Sequence, residues 1–155
     1  MSNRRKRNKK GQSFAGIPRA VMEHQDYKSL TGNEVKLLLE LAYQYRGNNN
    51  GDLTTAYSVL KNRGWSSRQT IDRAKKKLLQ LQLITQTREG RFLNPGGRCA
   101  LYALVWQPIS ECPGKKLDVK PTSTPARTFR RGEQRNNSVS GAKKVCRPTT
   151  GVNND

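Results

Sequence analysis

Trp65-Ser66-Ser67-Arg68-Gln69-Thr70-Ile71-Asp72-Arg73-Ala74-Lys75-Lys76-Lys77-Leu78-Leu79-Gln80-Leu81-Gln82-Leu83-Ile84 is the stretch on which the reading of this 155-residue chain turns. Ile71, Ala74, Leu78 and Leu81 recur at i, i+3, i+7 and i+10, an apolar stripe along one side of a helix. Ser66 followed three residues later by Gln69 fits a capping box and predicts a first turn over 67–70. Arg68, Gln69, Arg73, Lys76 and Lys77 stand away from the stripe. Arginine forks onto guanine and glutamine onto adenine in a major groove, while serine and lysine hold backbone phosphates. The first turns therefore read as a DNA-facing surface: Arg68, Gln69 and Arg73 on base edges, with Ser67, Thr70, Lys76 and Lys77 on phosphates. Ser66 joins the candidate DNA-binding set, and Thr70 has a second reading as a packing or capping residue. The plain alternative is a solvated helix face that is merely basic.

The pattern Ser67-Arg68-Gln69-Thr70-Ile71-x-x-Ala74-x-x-x-Leu78, closing with Leu83-Ile84, resembles the recognition helix of winged helix-turn-helix regulators of the GntR and MarR kinds. The resemblance spans about residues 31–106. It implies a helix in the major groove and a following hairpin, the wing, against the neighbouring backbone or minor groove. Two positions differ from the usual pattern: Gln82 stands where glycine commonly precedes Leu-Ile, and Lys75 where a mid-helix leucine is common. Residues 33–52, 101–106 and 116–122 are also similar to short, uncharacterised bacterial helix-turn-helix proteins.

Working outward from this helix, residues 55–63 read as the helix before it. Ala56, Val59 and Leu60 would point inward, Gly64 lies just past the end, and Trp65 plugs the angle between the two helices. Leu53 is placed to supply a short strand ahead of that helix. Thr31-x-x-Glu34 is a second capping box, followed by Val35, Leu38, Leu39, Ala42 and Tyr45 at helical spacing, with Leu37 and Leu41 widening the stripe. This is the expected core helix, stopped by Gly47-Asn48-Asn49-Asn50-Gly51-Asp52, which reads as a connector. A short helix over 18–24, with Pro18 at its start, opens the folded part. His24 is the only histidine, and without companion ligands it suits a packing or surface role better than a metal.

On the other side, residues 83–87 are rich in β-branched residues and 100–106 in apolar ones, so two strands are expected. The turn-rich connection over 88–98 would be the wing loop, with Arg91 and Arg98 as contacts near its tip and Arg88 nearer its base. Phe92 and Leu93 are expected to tuck beneath it or, if exposed, to meet a partner protein. The fold class that results is mainly α with a small β-hairpin wing (α+β), a winged helix-turn-helix domain over 13–112. Residues 1–12 read as a disordered basic arm and 113–155 as a disordered basic tail, with residues 117–122 as a candidate docking segment onto the domain or another chain.

Charge supports a polyanionic partner. The chain carries 30 basic and 11 acidic side chains, a net +19. Residues 1–10 hold +6, residues 11–112 another +6, and residues 113–155 the remaining +7. Double-stranded DNA is the partner expected, with RNA a weaker reading; charge of this kind also suits an anionic membrane, but no membrane partner is expected, and a homodimer on paired half-sites would suit the fold although no dimerisation helix stands out. No apolar run is long enough to cross a bilayer and no signal-peptide core follows the basic start, so a cytoplasmic, nucleoid-associated protein is expected. Cys99, Cys112 and Cys146 are odd in number and widely spaced, which argues against a disulfide framework or zinc site. No phosphate-binding glycine loop, nucleophile–histidine pair or metal-binding carboxylate pair is present, so neither an enzyme nor a cofactor is expected. A sequence-specific transcriptional regulator is the leading expectation. A plasmid or phage replication initiator would use the same contacts, and a non-specific basic RNA- or DNA-associated protein would work through its tails. A protein-interaction module using Phe92-Leu93 is a further class.

Overall fold

The computed structural model describes residues 13–92 and 96–131. The expected arm over 1–12, the tail over 132–155 and Leu93 lie outside them. Among the described residues are five α-helical segments and one antiparallel two-stranded hairpin, an α+β arrangement compatible with a wing. None of the described helices is long and apolar enough to cross a membrane.

α1 (Arg19–Glu23) and α2 (Gln25–Lys28) are separated by His24 in extended backbone. His24 is buried and its Nδ1 accepts the Asp26 N–H at 3.1 Å, capping α2, so its role is in packing. α3 (Gly32–Gln44) starts at the expected capping box, where the Thr31 N–H donates to Glu34 Oε2 at 2.6 Å. Its buried side is Leu37, Leu38, Leu41 and Ala42. Leu39, expected inside, is 44 % exposed, because α3 buries the stripe that faces α5 and Leu39 falls off it. The helix expected over 55–63 is one α-turn, α4 (Tyr57–Leu60), continued as a 3₁₀ turn (Lys61–Arg63). Of the three residues expected inward, Leu60 is buried, Val59 is exposed and Ala56, the residue before the helix, is only half-buried, because a single turn presents one narrow side to the core. Gly64 then takes φ +79°, the left-handed turn that lets Trp65 enter the core.

α5 (Arg68–Gln80) buries Ile71, Ala74 and Leu78, with Leu81 just beyond, as the spacing requires. It ends in a Schellman motif: the Leu83 N–H reaches Leu78 O and the Gln82 N–H reaches Leu79 O, both at 3.0 Å. Gln82 sits at φ +53°, so a side chain occupies the left-handed position that glycine usually takes. β1 (Ile84–Arg88) and β2 (Leu101–Leu104) pair from Ile84 opposite Leu104 to Arg88 opposite Leu101. The register shifts between Gln86 and Arg88, leaving Thr87 as an extra residue. Thr87 is buried and its Oγ1 donates to Gly51 O at 2.7 Å. Leu53 bridges to the other edge of β2, exchanging backbone hydrogen bonds with Tyr102, so β2 is flanked on both sides and wholly buried.

Asn50 is not a plain connector residue. At 0 % exposure its Nδ2 lies 3.0 Å from each of Leu104 O, Gln107 O and Pro108 O, and its Oδ1 accepts the Leu104 N–H at 2.8 Å. It satisfies backbone groups left over where β2 ends, which buried polar groups require.

The largest departure from expectation is the segment 113–131, expected to be a disordered tail. It crosses the domain as a strap. The Asp118 N–H donates to Thr87 O at 2.8 Å and the Thr122 N–H to Ile109 O at 2.9 Å, so the candidate docking segment docks on its own domain. Arg127 Nη1 donates to Leu81 O at 2.8 Å, and Nη2 to Asp26 Oδ2 at 2.8 Å. Phe129 sets its ring edge-on to His24 with centroids 5.4 Å apart. The strap lacks hydrophobic periodicity because it is held by backbone and arginine hydrogen bonds rather than by an apolar face of its own.

Candidate nucleic-acid interface

Two serines stand before α5, and the nearer one caps it. Ser67 has extended backbone and its Oγ accepts the Thr70 N–H at 3.4 Å. Ser66, expected as the cap, is exposed outside the helix, and its carbonyl accepts from the Tyr57 hydroxyl at 3.3 Å. Burial of Trp65 accounts for the one-residue displacement: the chain must run from the core to the surface before the helix begins at Arg68. Lys36 holds this turn, with Nζ 2.9 Å from Gly64 O and 4.9 Å from the Trp65 ring centroid.

Gln69, Arg73 and Lys76 lie at i, i+4 and i+7, one outward face of α5. All three are exposed, and none of the described residues forms a side-chain hydrogen bond or ion pair with them. Thr70 and Lys77 are half-buried on one flank. On the other flank Lys75 is paired with Asp72 at 2.6 Å, so the acidic residue nearest the face is already matched. Arg68 leans toward the hairpin with its guanidinium carbon 5.2 Å from the Tyr57 ring centroid. That stacking holds a long side chain in place while leaving its N–H groups exposed, a preorganised donor fork.

The hairpin loop is closed by Arg91 and Arg98, whose backbones exchange hydrogen bonds of 2.9 Å. Arg91 is exposed. Arg98, expected near the tip as a free cation, is half-buried and its Nη2 donates to Asp118 Oδ1 at 3.2 Å. Arg88 lies at the base as expected, donating through Nε and Nη2 to Cys99 O and through Nη1 to Lys115 O. Asp118 joins strap and loop: it also accepts the Glu89 N–H at 2.6 Å. That backbone hydrogen bond, followed by the charge of Arg98, holds the Asp118 carboxyl below its ordinary value. Phe92 does not tuck under the loop. It is fully exposed beside Arg91.

Between the start of α5 and this loop runs a groove of about 530 Å³. Its buried floor includes Ile71 and Tyr102; Tyr57 and Phe92 stand at its sides, and Arg68 and Arg91 are cations at its edge. Arg68, Gln69, Thr70, Arg73, Lys76 and Lys77 thus share one helix, capped by Ser67, and Arg91 reaches the same groove as Arg68. Sequence reasoning missed Tyr57, which orients Arg68, and Asp118, which occupies Arg98. An aromatic residue nine positions before Ser66 was the available signal for Tyr57; Asp118 had none, being the one acid in an otherwise basic run. Among the described residues no cluster of histidine, cysteine or acidic side chains could hold a metal ion. Comparisons with models of protein families, with curated proteins and with solved structures find no match.

Proposed function

We propose that this protein is a winged-helix DNA-binding protein that reads duplex DNA with α5 in the major groove and uses the β1–β2 hairpin as its wing. The observation that carries the reading is the outward face of α5. Gln69, Arg73 and Lys76 are exposed and unmatched on the one helix whose flank also presents an oriented Arg68. Cations left without internal partners contribute little to the fold, and they are the groups a polyanion binds by releasing its counterions. Arg68, Gln69 and Arg73 supply base readout; Ser67, Thr70, Lys76, Lys77 and Arg91 supply phosphate contacts. Arg98 acts through Asp118 as part of the wing's framework. Regulation of transcription is the use this mode of binding suits.

Selection of bound sequences from random duplex DNA, at near-physiological salt and with competitor RNA, tests the reading. The expected result is an enriched motif that disappears when Arg68→Ala and Gln69→Ala are combined. Enrichment of no motif, or preference for RNA, would refute base readout by α5 and return the helix to a scaffold for basic tails.

A further inference from the structure

The groove beside α5 has a shape and lining that phosphate contacts alone do not use. At about 530 Å³ it falls within the size of small-molecule sites. Its lining is mainly apolar, with Tyr57, Ile71, Ala100 and Tyr102 contributing, while its edge carries Arg68 and Arg91. Lys75 and Arg98 also line it, paired with Asp72 and Asp118. A phosphate would leave the apolar wall uncovered, and a plain hydrophobic side chain would leave the edge cations unmatched. The chain's own ends are poor occupants by charge: residues 1–10 carry +6, and residues 132–155 carry four basic against two acidic side chains. The occupant that satisfies both walls has a flat apolar body joined to an anion.

We propose that the groove receives one unpaired nucleotide of the bound DNA, its base against Tyr57 and Phe92 and its phosphate within reach of Arg91, the edge cation that base readout by α5 leaves to phosphate. The proposal rests on the reading of α5 as DNA-facing and adds a preference to it. Extruding a base costs unpairing and unstacking, least where the base is already unpaired, so the groove favours a duplex with a melted or bulged position beside the site. Phe92 supports this directly. It is a fully exposed aromatic ring adjoining a cation, the pairing on which bases stack without choice of sequence. The groove also carries a native reporter, Cys99, an exposed free thiol in its lining.

The test uses the full chain and two DNAs of one sequence, a matched duplex and the same duplex with one extra unpaired adenine. Affinity is measured together with the rate of maleimide alkylation of Cys99, located by peptide mapping. The bulged duplex is expected to bind about fivefold or more tightly than the matched one, and to slow alkylation of Cys99 at equal saturation. Phe92→Ala, at an exposed ring, and Ser58→Trp, which fills the groove from an exposed position on α4, should each abolish the advantage while preserving matched-duplex binding. Equal affinity for the two duplexes, or an advantage that survives both variants, overturns the groove proposal and leaves duplex recognition by α5 standing. Failure of both DNAs to bind overturns both readings.

Discussion

Two arginine-bearing regions of this protein have opposite relations to their surroundings. On the outward face of α5, Arg73 and Lys76 reach solvent with no described partner. Along the strap, Arg127 is spread over Leu81 O, Asp26 and the Phe129 ring, and Arg131 meets Glu23. Net charge alone does not distinguish the two, since both are basic stretches of a basic chain. The distinction is whether the hydrogen-bonding capacity of the cation is already satisfied. Satisfied arginines hold the fold together, and unsatisfied ones are available to a partner. Arg98 stands between the two: Asp118 takes its Nη2, while its buried Nε has no hydrogen-bond partner among the described residues.

Substitutions should separate the regions cleanly. Arg127→Ala is expected to have the largest effect, a loss of roughly 2–3 kcal/mol of stability in urea unfolding, because Leu81 O loses a donor and Asp26 a charged partner. An unchanged midpoint would show that the strap only rests on the domain. Arg68→Ala should cost about 2 kcal/mol of affinity on a preferred DNA site, with base choice relaxed at one position. Its unfolding midpoint should barely move; a large shift would place Arg68 with the strap arginines. Lys76→Ala should weaken binding to every sequence by about 1 kcal/mol or less and lower the salt slope by about one phosphate. A sequence-dependent loss would make Lys76 a base reader. The smallest effect concerns pH. The folded-state value of Asp118 is depressed, so its contribution is complete above the ordinary aspartate value of 3.8 and fades as pH falls through the lower folded value. Hydrogen exchange at the Glu89 amide should accelerate over that acid range relative to amides within α3, and Asp118→Asn should remove the difference.

The core was legible where one element's own periodicity decided its burial. Ile71, Ala74, Leu78 and Leu81 repeat as a helix facing one core must, and they are buried. The Thr31–Glu34 cap was legible for the same reason, being closed within four residues. Readings failed where a distant segment decided the outcome. Leu39 and Val59 are apolar and helical, yet which side of each helix is covered depends on the neighbours packed against it. Asn50 looks like turn chemistry, but its partners lie more than fifty residues later in the chain. Ser66 and Ser67 are equally competent caps, and only the burial of Trp65 selects between them. In the candidate site the helix cations were legible from spacing. Tyr57 and Asp118 were not, because stacking and ion pairing across the fold leave no local pattern.

The reach of Arg127 sets an order of events at synthesis. Its contacts span 101 residues back to Asp26 and 46 back to Leu81, so the seat it fills stands open to water while α1 to α5 emerge from the ribosome. The domain is fastened from beyond the last of its described helices, after α1 to α5 are already made. A product that stops short of Arg127 would carry α5 entire but lack this closure, and cellular proteases would meet it as a looser substrate than the finished chain.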